Sequence, residues 1–171
     1  MKADSGTGMD WASALQYCES STLGGFTDWR LPTAKEAHSI SDYTRSPKTT
    51  GSPALPAIFA ATPITAEDGA GDWGWEWTST TLYDGGVNWA LYVTRGRAMG
   101  YFNGAWRDVH GAGAVRSDPK HDDGVHTYPN GNGPQGDAIR IKNFVRCVRG
   151  GTGTASCPSC RGAQASAAGG K

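Results

Sequence analysis

No apolar run in this 171-residue chain approaches the roughly 20 residues that a membrane-spanning helix needs, so membrane insertion is not expected. Net charge is absent too. Lys plus Arg number 16 and Asp plus Glu number 16, and the basic excess of a nucleic-acid or anionic-membrane binder is missing. Leucine and isoleucine are scarce and hydrophobic residues make up only 37%, while glycine numbers 25. Such a chain must be largely turn and irregular loop around a compact aromatic centre. The opening residues, Met1 to Gly6, lack the apolar region of an export signal and read as a mature or truncated start, leaving export unread. Catalytic groupings are also missing: no serine, cysteine and histidine stand at a familiar spacing, and His110 reads as a hydrogen-bonded loop histidine, so no enzyme is expected.

What the chain has instead is aromatics. Asp72-Trp73-Gly74-Trp75-Glu76-Trp77-Thr78-Ser79-Thr80 is followed by Trp89, Tyr92, Tyr101 and Trp106, set among Gly, Asp and Asn rather than aliphatics. They outnumber what one small core holds, so several are expected to face a ligand. Trp11, Trp29 and Trp77 occupy periodic or motif positions and read as core.

The length fits one domain over residues 1–151, followed by a flexible Gly/Ala/Ser-rich tail over residues 152–171 that carries Cys157 and Cys160. Trp11, Ala14, Leu15 and Cys18 recur at helical spacing, and Leu23-Gly24-Gly25 ends that helix. Thr33 with Glu36 forms a capping box for a second helix to about Tyr43, burying Ala37 and Ile40. Residues 46–71 carry Pro47, Pro53, Pro56 and Pro63 and read as an ordered excursion. Residues 75–80 and 88–93, about the turn Asp84-Gly85-Gly86, predict one hairpin; residues 99–102 and 105–109, about Asn103-Gly104, predict another. A loop over residues 110–137 precedes a last strand over residues 138–149 with one buried and one basic face.

Cys18 lies in the first helical pattern and Cys147 in the last strand-like run. A bridge between them would close a loop of about 130 residues, worth about 3–5 kcal/mol in the chain-entropy account, and would favour an oxidising, extracellular setting. The alternative is two buried free thiols.

Three stretches in order carry a family resemblance: Ala14-Leu15-Gln16-Tyr17-Cys18-Glu19 with Leu23-Gly24-Gly25-Phe26-Thr27-Asp28-Trp29-Arg30-Leu31-Pro32-Thr33; Trp77-Thr78-Ser79-Thr80; and Val145-Arg146-Cys147-Val148-Arg149-Gly150-Gly151. Together they resemble the C-terminal domain family of bacterial collagen-like adhesins, related in fold to C-type lectins and formylglycine-generating enzymes. The resemblance implies an α+β, C-type-lectin-like fold with two helices, small twisted antiparallel sheets and long ordered loops. It implies surface attachment or export, a glycan or cell-surface ligand (sulfated in the characterised adhesin) and a homo-oligomer, a trimer by that likeness. The chain departs from the family pattern in lacking a strand upstream of residue 3 and in the extra tryptophans of Trp73-Gly74-Trp75-Glu76. The reactive cysteine pair of the formylglycine-generating enzymes has no counterpart among Cys18 and Cys147.

The expected ligand surface comprises Trp73, Trp75, Trp89, Tyr101 and Trp106 for stacking on a sugar face, with Glu76, Asn88, Asn103 and Asp108 for its hydroxyls. Arg95, Arg97, Arg107 and Arg116 either meet a sulfate or carboxylate or lock loops by ion pairing, with Arg116 counted in the site. Asp118, His121, Asp122 and Asp123, with His126 nearby, are candidate ligands for calcium or another divalent metal, at no recognised spacing; no cofactor is required. Cys157-x-x-Cys160 is half a metal or redox motif without a partner pair. The leading expectation is a non-enzymatic extracellular recognition domain. The alternatives are a diversified receptor of the retroelement type, motivated by Trp73 to Glu76, and a structural subunit of a surface assembly or filament.

Overall fold

The computed structural model describes residues 1–83 and 88–150. The expected turn at Asp84-Gly85-Gly86 and the tail with Cys157 and Cys160 lie outside the described residues. The elements in chain order are α1 (Trp11–Glu19), a 3-10 turn (Leu23–Gly25), β1 (Trp29–Arg30), α2 (Ala34–Ser39), α3 (Pro47–Thr50), β2 (Pro63–Thr65), β3 (Gly71–Trp73), β4 (Trp75–Leu82), β5 (Trp89–Thr94), β6 (Met99–Phe102), β7 (Ala105–Asp108), β8 (Val115–Pro119) and β9 (Val148–Arg149). The result is a mixed α+β fold of small antiparallel sheets: β4-β5-β8, β6-β7, β2-β3 and β1-β9.

Local signals place the helices. The Asp10 carboxylate accepts from the Ser13 amide to start α1, and Trp11, Ala14 and Cys18 turn one face inward. Thr33 and Glu36 form the reciprocal capping box of α2. That helix stops at Ser39, short of Tyr43; Ala37 is buried and Ile40 caps its end half-buried. Proline at the start of α3 fits a position where the missing N–H has no partner to lose.

Aromatics fill the centre. Trp75 stacks on Tyr92 at 4.7 Å, Trp77 meets Tyr92 edge-on, and Trp11, Leu31, Met99, Val145 and the Cys18–Cys147 disulfide pack around them. Buried indole N–H groups find acceptors: Trp11 donates to Thr78 O, Trp75 to Arg97 O and Trp77 to Met9 O. The disulfide joins α1 to the chain's return, where β1 pairs with β9 and the Met9 amide donates to Asn143 O.

Both faces of β4 are covered, which corrects the expectation for Glu76. Trp75 and Trp77 face the aromatic core; Glu76 and Thr78 face the other way, where α2 packs on β4 and β5. Glu76 is 2% exposed and holds two buried guanidiniums: Arg95 on Oε2 and Arg146 on Oε1. Their attraction holds its carboxylate below the usual range against the upward push of burial. Trp75, also expected at a ligand, is 1% exposed, with the Arg140 guanidinium 3.5 Å over its ring.

The expected last strand is corrected as well. Only Val148 and Arg149 join a ladder; residues 138–147 run irregularly, because their amides go to scattered acceptors. Ala138 donates to Met99 O, Arg140 and Ile141 to the Asp118 carboxylate, Phe144 to Trp75 O and Val145 to Ser5 Oγ. Its basic residues are not one wet face either, since Arg146 is buried on Glu76.

Candidate functional site

The β6-β7 hairpin turns at Asn103 and Gly104, both with positive φ (54° and 77°), as the Asn-Gly pair favours. Its register sets Tyr101 opposite Trp106, and their rings meet edge-to-face at 5.4 Å. Both rings are half-buried, Asn103 is exposed at the tip and Phe102 is 42% exposed beside it.

A glycine-rich loop over residues 128–137 lies against this hairpin. The Tyr101 amide donates to Gly136 O at 2.8 Å, and a side chain at Gly100 would meet Gln135 O at 2.6 Å. The loop closes on itself through mutual Asn132–Asp137 backbone bonds of 2.8 Å, so tightly that a Cβ on Gly131 would fall 1.9 Å from Gly136 O. At its start Tyr128 meets Trp89 of β5 edge-to-face at 6.4 Å. Two aromatic pairs thus flank one loop whose Asn130, Asn132 and Gln135 are exposed.

Charge at this surface is mostly spent. Asp137 takes both Arg116 and His110, the latter at 3.0 Å. Burial and the neighbouring Arg116 charge lower the His110 pKa. Arg95 is consumed by Glu76, and Arg97 by Asp68 and Asp72. Of the four arginines considered for an anion, Arg107 alone is exposed and lacks an ion-pair partner among the described residues. The Tyr128 phenol is raised by burial and by the negative charges of Asp123, Asp118 and Asp122.

Several expected site residues do other work. Asp108 accepts from the Ala98 and Gly111 amides and pins its loop. Asn88 is exposed, its carbonyl taking the Lys120 amide. Trp73 is half-buried on β3 opposite Pro63, on a different sheet from the two aromatic pairs. Trp75 and Glu76 are core groups, as above.

The four expected metal ligands do not converge. Asp118 points inward, its Oδ2 accepting from Asn143 Nδ2 and the Arg140 and Ile141 amides. Asp122 and Asp123 are exposed and accept from the amides of their own turn, and His121 is exposed. Asp118 is fully buried while the other three are exposed, and among the described residues no three His, Cys, Asp or Glu groups are placed to hold a metal.

A cavity of about 120 Å³ opens over the Glu76 triad, with Pro32, Ala37, Ile40, Phe59 and Val148 as apolar walls. Arg95 and Arg146 spend their donors on Glu76, Ser41, Ala37 O, Lys2 O and Ala60 O. The charged floor offers an incoming anion little.

Tyr128 is not among the residues expected at the site from the sequence; its signal is present in Tyr128-Pro129-Asn130-Gly131-Asn132-Gly133, an aromatic residue entering an Asn-Gly turn run. The chain matches no curated protein and no solved structure. Residues 1–116, about two thirds of its length, match the family model described as the Lcl C-terminal domain, and the chain belongs to that family.

Proposed function

We propose that this chain is a non-enzymatic, extracellular recognition domain of C-type-lectin-like fold that binds a glycan through the surface formed by Tyr101, Trp106, Trp89, Tyr128 and the loop between them. The observation that carries the reading is the register-locked Tyr101–Trp106 pair beside exposed Asn103, Asn130, Asn132 and Gln135. Sugar rings present apolar C–H faces that stack on aromatics, and amides supply both donors and acceptors to hydroxyls. The disulfide fits an oxidising compartment.

Electrostatics narrow the ligand to a neutral or amino-bearing sugar rather than a sulfated one. Arg116 is neutralised by Asp137, and Asp122 and Asp123 stand near Tyr128, so a polyanion would meet one open guanidinium, Arg107, and several carboxylates. A glycan array with neutral, amino and sulfated arms tests this: binding confined to sulfated glycans and lost at raised salt would refute the charge argument. Association into a homo-oligomer, a trimer by family likeness, would multiply weak sites into useful avidity, and light scattering on the full chain reads it directly.

A further inference from the structure

Asp118 of β8 is fully buried opposite Ala90, and its two carboxyl oxygens are treated unequally. Oδ2 accepts three N–H groups: Asn143 Nδ2 at 2.8 Å, Ile141 N at 3.1 Å and Arg140 N at 3.2 Å. Among the described residues Oδ1 accepts none, and neither does Oδ1 of Asn143, also buried. Two side chains joined by one hydrogen bond thus each hold an orphan oxygen, and both orphans are acceptors. An amide and a carboxylic acid close a ring of two hydrogen bonds when the acid bears its proton; that proton is the missing donor.

We propose that buried Asp118 keeps its proton through the mildly acidic range, where an exposed carboxyl has lost it, and in that form makes a cyclic acid–amide pair with Asn143, the O–H on Oδ1 donating to Asn143 Oδ1 while Oδ2 accepts from Nδ2. In that form one proton satisfies both orphan oxygens, and no buried anion is left on β8. Burial works the same way, pushing the carboxyl pKa up to about 6 against the three N–H groups that favour the anion.

The surrounding cations are ion-paired or stacked elsewhere. Arg140 holds Glu67 through Nε and Nη2 and lies on Trp75, its buried Nη1 without a hydrogen-bond partner among the described residues; Arg116, on the same strand, holds Asp137; and Lys120 bonds Thr81 and sits over Trp11. From β5 comes Tyr92, its phenol held neutral far above its usual range by burial and Asp118, and from the loop comes Tyr128. The N-terminal segment contributes the Met9 backbone against Asn143 and Asp10, which caps α1.

The pair anchors a strained turn. Ile141 has φ 60°, a region that β-branched residues avoid, and its amide is one of the three on Asp118. The chain on either side of it joins two sheets, through Ala138 to Met99 and Phe144 to Trp75. The folded-state pKa lies above the unfolded value, so the stabilisation is fully present below about pH 4 and is lost as pH rises through about 6.

Carboxyl carbon-13 NMR titration of Asp118 in the full, oxidised chain is expected to give a midpoint near pH 6; a midpoint at or below the ordinary value of about 3.9 would overturn the proposal. The variant Asp118→Asn mimics the neutral acid. The folding constant of the native protein divided by that of the variant should fall about tenfold from pH 5 to 7.5, while His110, common to both, cancels. A ratio flat over that range, as an ordered water bridging the two oxygens of a permanent carboxylate would give, overturns it equally. Should the variant not fold, the titration of the native chain decides alone.

Discussion

Replacing Glu76 by glutamine should be among the most damaging isosteric changes in this protein. Glu76 is 2% exposed, Arg95 is fully buried and Arg146 is 3% exposed. Its Oε2 takes Arg95 Nε at 2.9 Å and an Arg95 terminal nitrogen at 2.8 Å; its Oε1 takes Arg146 Nε at 3.0 Å and a terminal nitrogen at 2.8 Å. Glutamine keeps the shape but surrenders the charge and turns one acceptor into a donor facing a guanidinium. Two cations then lie buried without a counter-ion, a fault that typically costs about 3–5 kcal/mol. A loss of that size is a large fraction of the roughly 5–15 kcal/mol that holds a domain of this kind together. Urea unfolding at pH 7.5, followed by tryptophan fluorescence with the disulfide intact, reads it as a lower midpoint at unchanged slope. If Glu76 were a solvent-facing ligand group, the change would fall within about 0.5 kcal/mol. That result would refute the buried-triad reasoning.

Two further outcomes follow from named contacts. Replacing Cys18 and Cys147 together by alanine opens a loop of sequence separation 129, and the chain-entropy model puts the loss near 5 kcal/mol, read from denaturation midpoints with and without reductant. Glu36, held at a pKa of about 2 first by Arg30 and then by the Thr33 capping bonds, stabilises the fold above the ordinary carboxylate range of about 4.3 and loses that contribution as pH falls toward 2. In Arg30→Ala its NMR titration midpoint should move most of the way back to the ordinary value; a midpoint still near 2 would assign the shift to the cap.

Much of this architecture was legible where the signal is short-range. The Thr33–Glu36 box, the Asn103-Gly104 hairpin and the Trp11, Ala14, Cys18 face each depend on residues a few positions apart. The fate of Glu76 was not legible. Alternation along Trp75-Glu76-Trp77 says that it faces away from the tryptophans, but only α2 and Arg146, 70 residues away, make that second face an interior. With Trp75 and Glu76 inside, the stretch that motivated a diversified receptor offers only Trp73 toward solvent, half-buried. The last strand failed for a similar reason. Its apolar and basic alternation is real, yet a carboxylate from β8 takes two of its amides and Ile141 breaks the extended path. The arginines, open on the sequence between meeting an anion and locking loops, carry the same lesson, since the partners that decide for locking lie far along the chain: Arg97 meets Asp68 from 29 positions away and Arg116 meets Asp137 across the loop.

The central claim is that the Tyr101–Trp106 pair and its adjoining loop form the recognition surface. Its most direct test is titration calorimetry of the best neutral or amino-sugar ligand from the array against the native chain, Tyr101→Ala, Trp106→Ala and, as an off-surface control, Ile58→Ala, which removes a side chain from a residue 62% exposed on the segment after α3. Each aromatic variant is expected to lose on the order of thirtyfold in affinity (about 2 kcal/mol) with unchanged circular dichroism, and the control to lose none. Equal affinity in all four proteins would contradict the claim.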